Sequence, residues 1–353
     1  MIAANLFGMD RVALEGTVSA LGEPAYRARQ IFVWLYKKRV REIAAMTDLA
    51  KPLRESLAAG HLVRWPGIAD RQESGDGTVK YLFRLEDGAT IESVYIPEAR
   101  RRTICISTQA GCPLKCAFCL TGIAGYKRNL KPWEILGQVA TVMDEAPRQA
   151  LPWNVVVMGM GEPLLNYDAT AASLRVLMDP EGFAVAAKKL TLSTVGILPA
   201  LEKLMQEPVR PNLAISLHAP NATLRRELMP VEEKYALEDV IAAAQRYPIP
   251  RGGRVTYEYV LLRGVNDQPG HARELARLLK GARAKVNLIP LNPAPDIPFD
   301  APAPAAVDAF RALLAEARVA VSVRRPRGQD ILAACGQLHL KRVAAPVPIL
   351  AAR

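Results

Sequence analysis

The sequence predicts an α/β fold in which repeated strand–helix units build a mainly parallel sheet. From residue 102 onward, strand-like and helical stretches alternate, which is typical of βα units. The chain has 353 residues, and half of them are hydrophobic, a size that suits one α/β barrel with an appendage. Six main units before a final strand favour a partial (β/α)6 barrel, although the count alone also fits an open, doubly wound sheet.

The part of the chain before residue 102 has a different pattern. Up to about residue 65 it is helical and basic, and residues 26–38 place apolar side chains at helical spacing with cations on the other face. This helix is either a solvated amphipathic helix packed on its neighbours or part of a basic surface that binds nucleic acid. Residues 79–85 and 90–96, joined by an Asp-Gly turn, predict a β-hairpin.

The elements of the core domain are predicted from the period of the apolar residues and from composition. The strands of this domain are expected over residues 103–107, 154–158, 189–193, 213–217, 254–261, 285–291 and 319–323. Its helices are expected over residues 132–143, 167–178, 237–245, 271–279 and 306–318. We therefore divide the chain into an N-terminal helical, basic accessory domain, a β-hairpin extension, a core domain and a C-terminal tail, at residues 1–75, 76–100, 101–340 and 341–353.

Composition limits the classes of protein that the chain can belong to. No run of 18 or more apolar residues and no signal segment is present, so we expect a soluble, cytoplasmic protein. The formal net charge of +11 favours a polyanionic partner, although charge alone is a weak signal. The cysteines are odd in number, five, and four of them lie within fifteen residues. This usage indicates metal or redox chemistry in a reducing compartment.

The most specific motif is the run Gly111-Cys-Pro-Leu-Lys-Cys-Ala-Phe-Cys119, which supplies three thiolates at C-x3-C-x2-C spacing. It follows the first core strand, at the edge of a barrel where catalytic loops lie. Closed zinc sites and ordinary iron–sulfur clusters take four ligands. Three cysteines can instead bind three irons of a four-iron cluster and leave the fourth open to a substrate. The alternative is a zinc site that recruits His218 or Cys335 as its fourth ligand.

Later strands also end in small or polar residues. These ends contain Gly161-Glu162, Ser193, Ser216-Leu217-His218 and Asn292, and in a barrel they would converge on one pocket.

Two further cysteines stand apart. Cys105 lies in an apolar strand and Cys335 in an apolar loop. Each alone is more often structural than catalytic, but together they are candidates for a nucleophile and a resolving thiol.

These motifs together resemble the RlmN and Cfr family of radical S-adenosylmethionine (SAM) RNA methyltransferases. The resemblance covers nearly the whole chain and rests on GEPAYRARQ (22–30), IESVYIP (91–97), STQAGC (107–112), MGMGEPL (158–164), SLHAP (216–220), YEYVLL (257–262) and AACGQL (333–338). It implies a radical SAM barrel, and an accessory domain that binds RNA.

The family methylates adenosine at C2 or at C8. The resemblance implies 2-methyladenosine at adenosine 2503 of 23S rRNA and also at adenosine 37 of tRNAs. The segment STVGI (193–197) is similar to Cfr sequences, whose product is 8-methyladenosine, whereas SLHAP and RRPRG (324–328) are closer to RlmN. We favour C2, and C8 remains open.

The resemblance also assigns roles residue by residue. Cys112, Cys116 and Cys119 would hold a [4Fe-4S] cluster, and Cys335 would accept a methyl group from a first SAM. A second SAM would be cleaved to a 5′-deoxyadenosyl radical that activates this methyl group for addition to the adenine. Glu92 matches the proton acceptor, and Cys105 matches the thiol that releases the product by forming a transient disulfide with Cys335. The matching SAM contacts are Gly161, Glu162, Ser193, Ser216, Leu217, His218 and Asn292.

The implied partners are 23S rRNA, tRNA and an electron donor such as flavodoxin or ferredoxin, and we expect a monomer with no membrane contact. Two rival interpretations remain. A radical SAM activase or maturase acting on protein would give Cys335 no special role. A zinc-containing RNA-binding protein without catalysis would hold one zinc ion instead of a cluster.

Overall fold

The structure of the protein is a computed structural model that describes residues 3–147 and 149–338. Its strands are β1 (Ala4–Asn5), β2 (His61–Leu62), β3 (Gly67–Glu73), β4 (Val79–Arg84), β5 (Thr90–Glu98), β6 (Arg101–Cys105), β7 (Gln109–Gly111), β8 (Tyr126–Asn129), β9 (Trp153–Val157), β10 (Leu190–Thr194), β11 (Asn212–Ser216), β12 (Val255–Leu261), β13 (Ala284–Pro290) and β14 (Ala320–Val323). Its α-helices are α1 (Arg11–Ala20), α2 (Tyr26–Phe32), α3 (Lys51–Gly60), α4 (Leu120–Ile123), α5 (Pro132–Glu145), α6 (Tyr167–Met178), α7 (Leu198–Met205), α8 (Ala222–Leu228), α9 (Leu237–Arg246), α10 (Pro269–Leu278) and α11 (Pro304–Glu316).

Ten strands form one mixed sheet in the order β14-β13-β12-β11-β10-β9-β6-β5-β4-β3. From β6 through β9 to β14, all neighbouring strands are parallel. These seven strands follow one another in chain order. A doubly wound sheet reverses its order at a switch point, so this arrangement is the singly wound order of a barrel. The predicted α/β fold with a partial barrel is confirmed, and within the described residues the sheet stays open between β14 and β3.

The parallel strands are apolar on the face that the helices cover, whereas the face turned to the cavity carries polar residues such as Ser193 and Glu258. Leu192, Ile215 and Leu288, at the centres of β10, β11 and β13, are fully buried. The helices that follow these strands present apolar faces to them, as Val240 and Leu275 do from α9 and α10. This packing fixes the carboxyl ends of the strands relative to one another, and the candidate site lies at these ends.

The antiparallel extension is larger than the sequence predicts. The expected hairpin forms from β4 and β5, but β3 pairs with β4 and β5 continues onto β6. The sequence analysis did not predict β3, whose residues it placed in the helical accessory domain of residues 1–75, although the helical pattern itself ends near residue 65. This strand is exposed along nearly its whole length, so it has no alternation of apolar residues by which a sequence could show it.

Three helices and a short π-helical turn make up most of the N-terminal region. The predicted helix over residues 26–38 is present as α2, which continues into a π turn at Val33–Lys37. Several cations of this region are bound to the core: Arg11 and Arg29 pair with Glu181, and Arg39 pairs with Asp144. These arginines are not free to bind a polyanion.

Two further findings concern the limits of the chain. The predicted C-terminal tail, residues 341–353, and the last two residues of the predicted core lie outside the described residues. In the described part of the chain, no helix combines the length and the apolar character needed to cross a membrane.

Candidate active site

The three clustered cysteines lie in the long connection between β7 and β8, the two strands of a small hairpin, rather than directly after β6. Gly111 opens the loop with φ +81°, and a Cβ atom there would lie 1.9 Å from the Gly125 carbonyl oxygen, so only glycine fits. Backbone hydrogen bonds fix the loop, from Cys112 N to Gly125 O (2.9 Å) and from Ala117 N to Leu228 O (3.0 Å). The thiols are thus held on a fixed frame.

Most of the predicted site residues line one cavity of about 170 Å³ at the carboxyl ends of the parallel strands. Ten of the thirteen are there: Cys112, Cys116, Cys119, Gly161, Glu162, Ser193, Ser216, His218, Asn292 and Cys335. We call this the main cavity. The strand order explains the convergence, because parallel strands bring their carboxyl ends to the same edge of the sheet.

The thiols of the main cavity are desolvated. Burial raises the pKa of Cys112 to about 12 and also raises the pKa values of Cys116 and Cys119. Such thiols stay protonated near neutral pH, and a bound cation is what makes them thiolates. In the described ranges, no three His, Cys, Asp or Glu side chains are grouped so that they could hold one metal ion. A [4Fe-4S] cluster binds each cysteine through a different iron, so its ligands need not converge on one point.

Glu162 presents a fixed carboxylate to the main cavity. Its oxygens accept hydrogen bonds from Leu164 N (3.0 Å), Thr194 Oγ1 (2.7 Å) and Val195 N (2.9 Å). Burial raises its pKa to about 7 despite these hydrogen bonds. An ammonium group placed beside it would therefore restore its charge.

His218 is a neutral hydrogen-bond donor. Its Nδ1 accepts a hydrogen bond from Val260 N at 3.0 Å, so the ring proton lies on Nε2. Burial lowers its pKa to about 3, and the ring of Phe118 packs edge-on at 4.8 Å. His218 has φ +60°, a conformation that Asn266 supports by donating to the His218 carbonyl oxygen (2.9 Å).

The loop that carries Cys335 is bound to the cysteine loop and to the end of β13. Leu120 N donates to Gly336 O (2.8 Å), and Thr121 Oγ1 donates to Leu338 O (2.6 Å). Asn292 Nδ2 donates to the Cys335 carbonyl oxygen at 3.3 Å. These bonds place Cys335 on the wall of the main cavity although it is 216 residues from Cys119 in the chain.

Cys335 also lines a second cavity of about 110 Å³, which we call the side cavity. Its lining includes Cys105, together with Arg324, Arg325 and Arg327. Burial raises the pKa of Cys105 to about 12, and the nearby Arg324 opposes this rise. All five cysteines are free thiols, so the disulfide expected between Cys105 and Cys335 is absent from this structure, although the side cavity brings both residues together.

Two predicted site residues line neither cavity. Leu217 is fully buried, and its backbone N donates to Glu258 O at 3.0 Å. Glu92 is buried in β5, where its Oε1 lies 3.3 Å from Lys80 Nζ. Lys80 Nζ also donates to the carbonyl oxygen of Leu332 at 3.3 Å, three residues before Cys335. Glu92 is thus connected to the Cys335 loop through Lys80.

The sequence analysis missed two charged residues of the main cavity, Glu258 and Arg324. Glu258 accepts a hydrogen bond from Asn287 Nδ2 (2.7 Å), and burial raises its pKa. The proximity of Cys335 raises the pKa of Arg324. A signal for Glu258 was present, because a carboxylate inside the apolar run of β12 must face a polar interior.

Comparison with known proteins agrees with this site. The chain matches the family model of the radical SAM superfamily over residues 106–278. It also matches the model of the ribosomal RNA large subunit methyltransferase N-terminal domain over residues 4–63. The first match contains the three clustered cysteines.

Relatives and a solved structure match over nearly the full length. The chain is 48% identical, over 95% of its length and 91% of the relative's, to the "Probable dual-specificity RNA methyltransferase RlmN" of Gemmatimonas aurantiaca. It is 45% identical to the "Dual-specificity RNA methyltransferase RlmN" of Syntrophus aciditrophicus, covering 96% and 97% of the two chains. The crystal structure of a radical SAM methyltransferase from Sphaerobacter thermophilus superposes with a TM-score of 0.87 at 44% identity, over 95% and 99% of the chains. The chain therefore belongs to the RlmN family of dual-specificity radical SAM RNA methyltransferases.

Proposed function

We propose that the protein methylates C2 of adenosine in 23S rRNA and in tRNA, with Cys335 as the carrier of the methyl group. The observation that supports this most directly is the position of Cys335, which lines both the main cavity and the side cavity. One sulfur can thus receive a group on the side of the clustered cysteines and meet Cys105 on the other side.

The donor set of the main cavity fits the cofactors of the family. Cys112, Cys116 and Cys119 would hold a [4Fe-4S] cluster as its three ligands. Glu162 would accept from the amino group of SAM, and Ser193, Ser216, His218 and Asn292 would contact the rest of that molecule. When bound, the cluster and SAM supply the methyl group and the one-electron chemistry that C2, an electron-poor carbon between two ring nitrogens, requires.

The remaining steps belong to the chain itself. Once Cys335 is joined to adenine C2 through a methylene carbon, Glu92 would take the C2 proton, with Lys80 beside it to stabilise or release its charge. The unpaired electron of the adduct would leave through the one-electron chemistry that the cofactors supply. Cys105 would then attack the Cys335 sulfur and give up its thiol proton. An S–S bond forms and the S–C bond breaks, and the electron pair left on carbon takes a proton to give the methyl group. The two thiols are oxidised, and the nucleotide carbon is reduced.

Removing the Cys105 thiol should trap the covalent intermediate. In Cys105→Ala the S–C bond has no nucleophile to break it, so we expect RNA to remain attached to the protein under radical-forming conditions. Denaturing gel electrophoresis before and after nuclease treatment measures the adduct. Cys335→Ala is the matched control, and it should form no adduct and carry no methyl group by mass spectrometry. A Cys105→Ala protein without attached RNA would contradict the role of Cys105.

C8 methylation is the second candidate. The residue that favours it is Val195, which stands in the Cfr-like segment and lines the main cavity. Nucleoside analysis of rRNA and tRNA from a deletion strain separates the candidates, since loss of 2-methyladenosine supports C2 and loss of 8-methyladenosine supports C8.

The wider assignments are part of the same proposal. Residues 1–75 would act as an RNA-binding accessory domain, 76–100 as an extension and 101–340 as the radical SAM core. The enzyme would work as a cytoplasmic monomer, reduced by a flavodoxin or ferredoxin. Anaerobic reconstitution giving about four irons per chain supports the cluster. A single zinc ion would instead support the non-catalytic alternative.

A further inference from the structure

The amino ends of the last three parallel strands carry a basic surface that the proposed reaction does not use. Two adjoining open cavities of about 580 and 600 Å³ lie there and share Arg318 in their linings. The cations around them form what we call the basal patch, and all of them are exposed: Arg251, Arg254, Arg273, Arg277, Lys280, Arg283 and Arg318.

The charge of the basal patch is not neutralised. No Asp or Glu lines either cavity, and none of the seven cations forms a salt bridge with the residues that the structure describes. Arg283 donates to the carbonyl oxygens of Pro250 and Gly253 (2.8 and 3.1 Å), which hold it in place without cancelling its charge. The nearby carboxyl ends of α10 and α11 each contribute only about half a negative charge.

The size of this charge distinguishes the patch from an ordinary solvated surface. The formal net charge of the whole chain is +11, so seven uncompensated cations equal more than half of it. In the N-terminal region, by contrast, Arg11, Arg29 and Arg39 are paired with carboxylates of the core. The basal patch is thus a concentrated source of the positive potential that attracts polyanions.

We propose that the basal patch binds the phosphate backbone of the RNA substrate, at a distance from the nucleotide that is methylated. This inference rests on the RNA methyltransferase assignment. Strands β12 and β13 have seven residues each, so the patch lies roughly 23 Å from the main cavity at about 3.3 Å per residue. A folded RNA can span that distance around the open edge at β14, whereas a short stem-loop held at the main cavity cannot.

The contact is with phosphates and not with bases. The exposed large hydrophobic residues of the described chain all lie outside the patch, so it has no aromatic platform on which bases could stack. Cations that meet phosphates position an RNA without reading its sequence. The patch therefore serves rRNA and tRNA alike.

Equilibrium binding with a matched charge control tests the proposal. Arg254→Gln/Arg277→Gln removes one cation from each cavity. Arg100→Gln/Lys188→Gln removes two exposed cations that lie outside the patch, at the amino ends of β6 and β10 on the same edge of the sheet, and that also form no described ion pair. The dissociation constants of a full-length tRNA transcript, a large 23S rRNA fragment and a short stem-loop with the target adenosine are measured over a range of KCl concentrations. Circular dichroism checks that all variants are folded.

For the patch variant we expect about tenfold weaker binding of both long RNAs and a salt slope smaller by about 1.5, because each lost phosphate contact removes about 0.7 to 0.9 from the slope. The short stem-loop and the control variant should bind as the wild type does. The proposal would be overturned if both variants lost the same affinity for the long RNAs, or if the patch variant kept the salt slope of the wild type. Binding is measured without catalysis, so a product methylated at C8 would refute the proposed regiochemistry and leave this result intact.

Discussion

At the scale of single residues, burial suppresses charge on two titratable side chains of the main cavity, Glu162 and His218. It raises the pKa of Glu162 to about 7 and lowers that of His218 to about 3. His218 is consequently a neutral donor throughout the physiological range, whereas Glu162 can gain its charge when a cation enters. The two residues offer a ligand an acceptor on one side and a donor on the other.

The low pKa of His218 has a consequence for stability. Between pH 6.5 and pH 3, the unfolded chain binds a proton at this residue and the folded chain does not, so His218 destabilises the fold as the pH falls below 6.5. From pH 7 to pH 5 this amounts to about 2 kcal/mol. Asparagine tolerates positive φ, so His218→Asn keeps the backbone conformation and removes the titrating ring. On acidification from pH 7 to pH 5, we expect the free energy of unfolding of this variant to fall by about 2 kcal/mol less than that of the wild type.

Urea unfolding of the apoprotein at both pH values measures the difference. Glu162 acts in the opposite direction, since its raised pKa stabilises the fold below pH 4.5 and this stabilisation is lost as the pH rises through 7. This contribution of Glu162 is present in the wild type and in the variant, so the comparison isolates the contribution of His218. His61→Asn, outside the cavity, serves as control. If His218→Asn and the wild type respond equally to pH, the residue is not buried in its neutral form.

At the scale of elements, the ends of the strands depend on glycines that no other residue replaces. After β10 the chain turns at Gly196, which has φ +99° and whose Cβ would lie 2.5 Å from Val240 Cγ1 on α9. Because Gly196 has no side chain, α9 can pack closely against this turn. The turn also leaves Val195 in the wall of the main cavity. Glycine is therefore required at residue 196 both for the positive φ of the turn and for the packing of α9.

Gly196→Ala should therefore cost more than backbone strain alone. Gly281 also has a positive φ, of +79°, but a Cβ there would meet nothing within 4 Å. We expect Gly281→Ala to lower the free energy of unfolding by about 1 kcal/mol, and Gly196→Ala to lower it by about 2 to 4 kcal/mol because the steric clash is added. Thermal unfolding compares the two, and equal losses would mean that α9 moves away without cost.

The elements also show how far sequence alone predicts the molecule. The limits of strands β4 to β6 and β9 to β14 were predicted within a few residues, because apolar runs mark these strands and turn residues mark their ends. β3 was missed because it is exposed and held mainly by its pairing with β4, and β7 and β8 are too short to have a period. Cavity residues at strand ends were predicted, whereas Glu258 in a strand interior and Arg324 just beyond β14 depend on the three-dimensional arrangement.

At the scale of the whole molecule, ion pairs bind the N-terminal helices to the core. Arg11 from α1 forms two hydrogen bonds with Asp179 (2.6 and 2.8 Å) and a third with Glu181 (2.8 Å), and it stacks over Phe32. Arg29 from α2 reaches the same Glu181 but is far more exposed. Arg11 is the better ordered of the two links.

Removing these links should loosen the N-terminal region unequally. We expect Arg11→Gln to lower the free energy of unfolding by about 1 kcal/mol and Arg29→Gln by a few tenths at most, because exposed pairs contribute little. Limited proteolysis should cleave the first 60 residues faster in Arg11→Gln, and at about 1 M salt, where charges are screened, the wild type should approach the variant. Similar cleavage of both variants at low salt would contradict the ranking.

The order of the parallel strands has a consequence for biosynthesis. Each strand from β10 to β14 pairs with the one made just before it, so an emerging chain can add its βα units one at a time. The clustered cysteines are made early, before six of the seven parallel strands have emerged, and Cys335 comes only after the last strand. An unfinished chain would thus contain the proposed cluster ligands but not yet Cys335, the proposed methyl carrier, so the proposed reaction would need the completed chain.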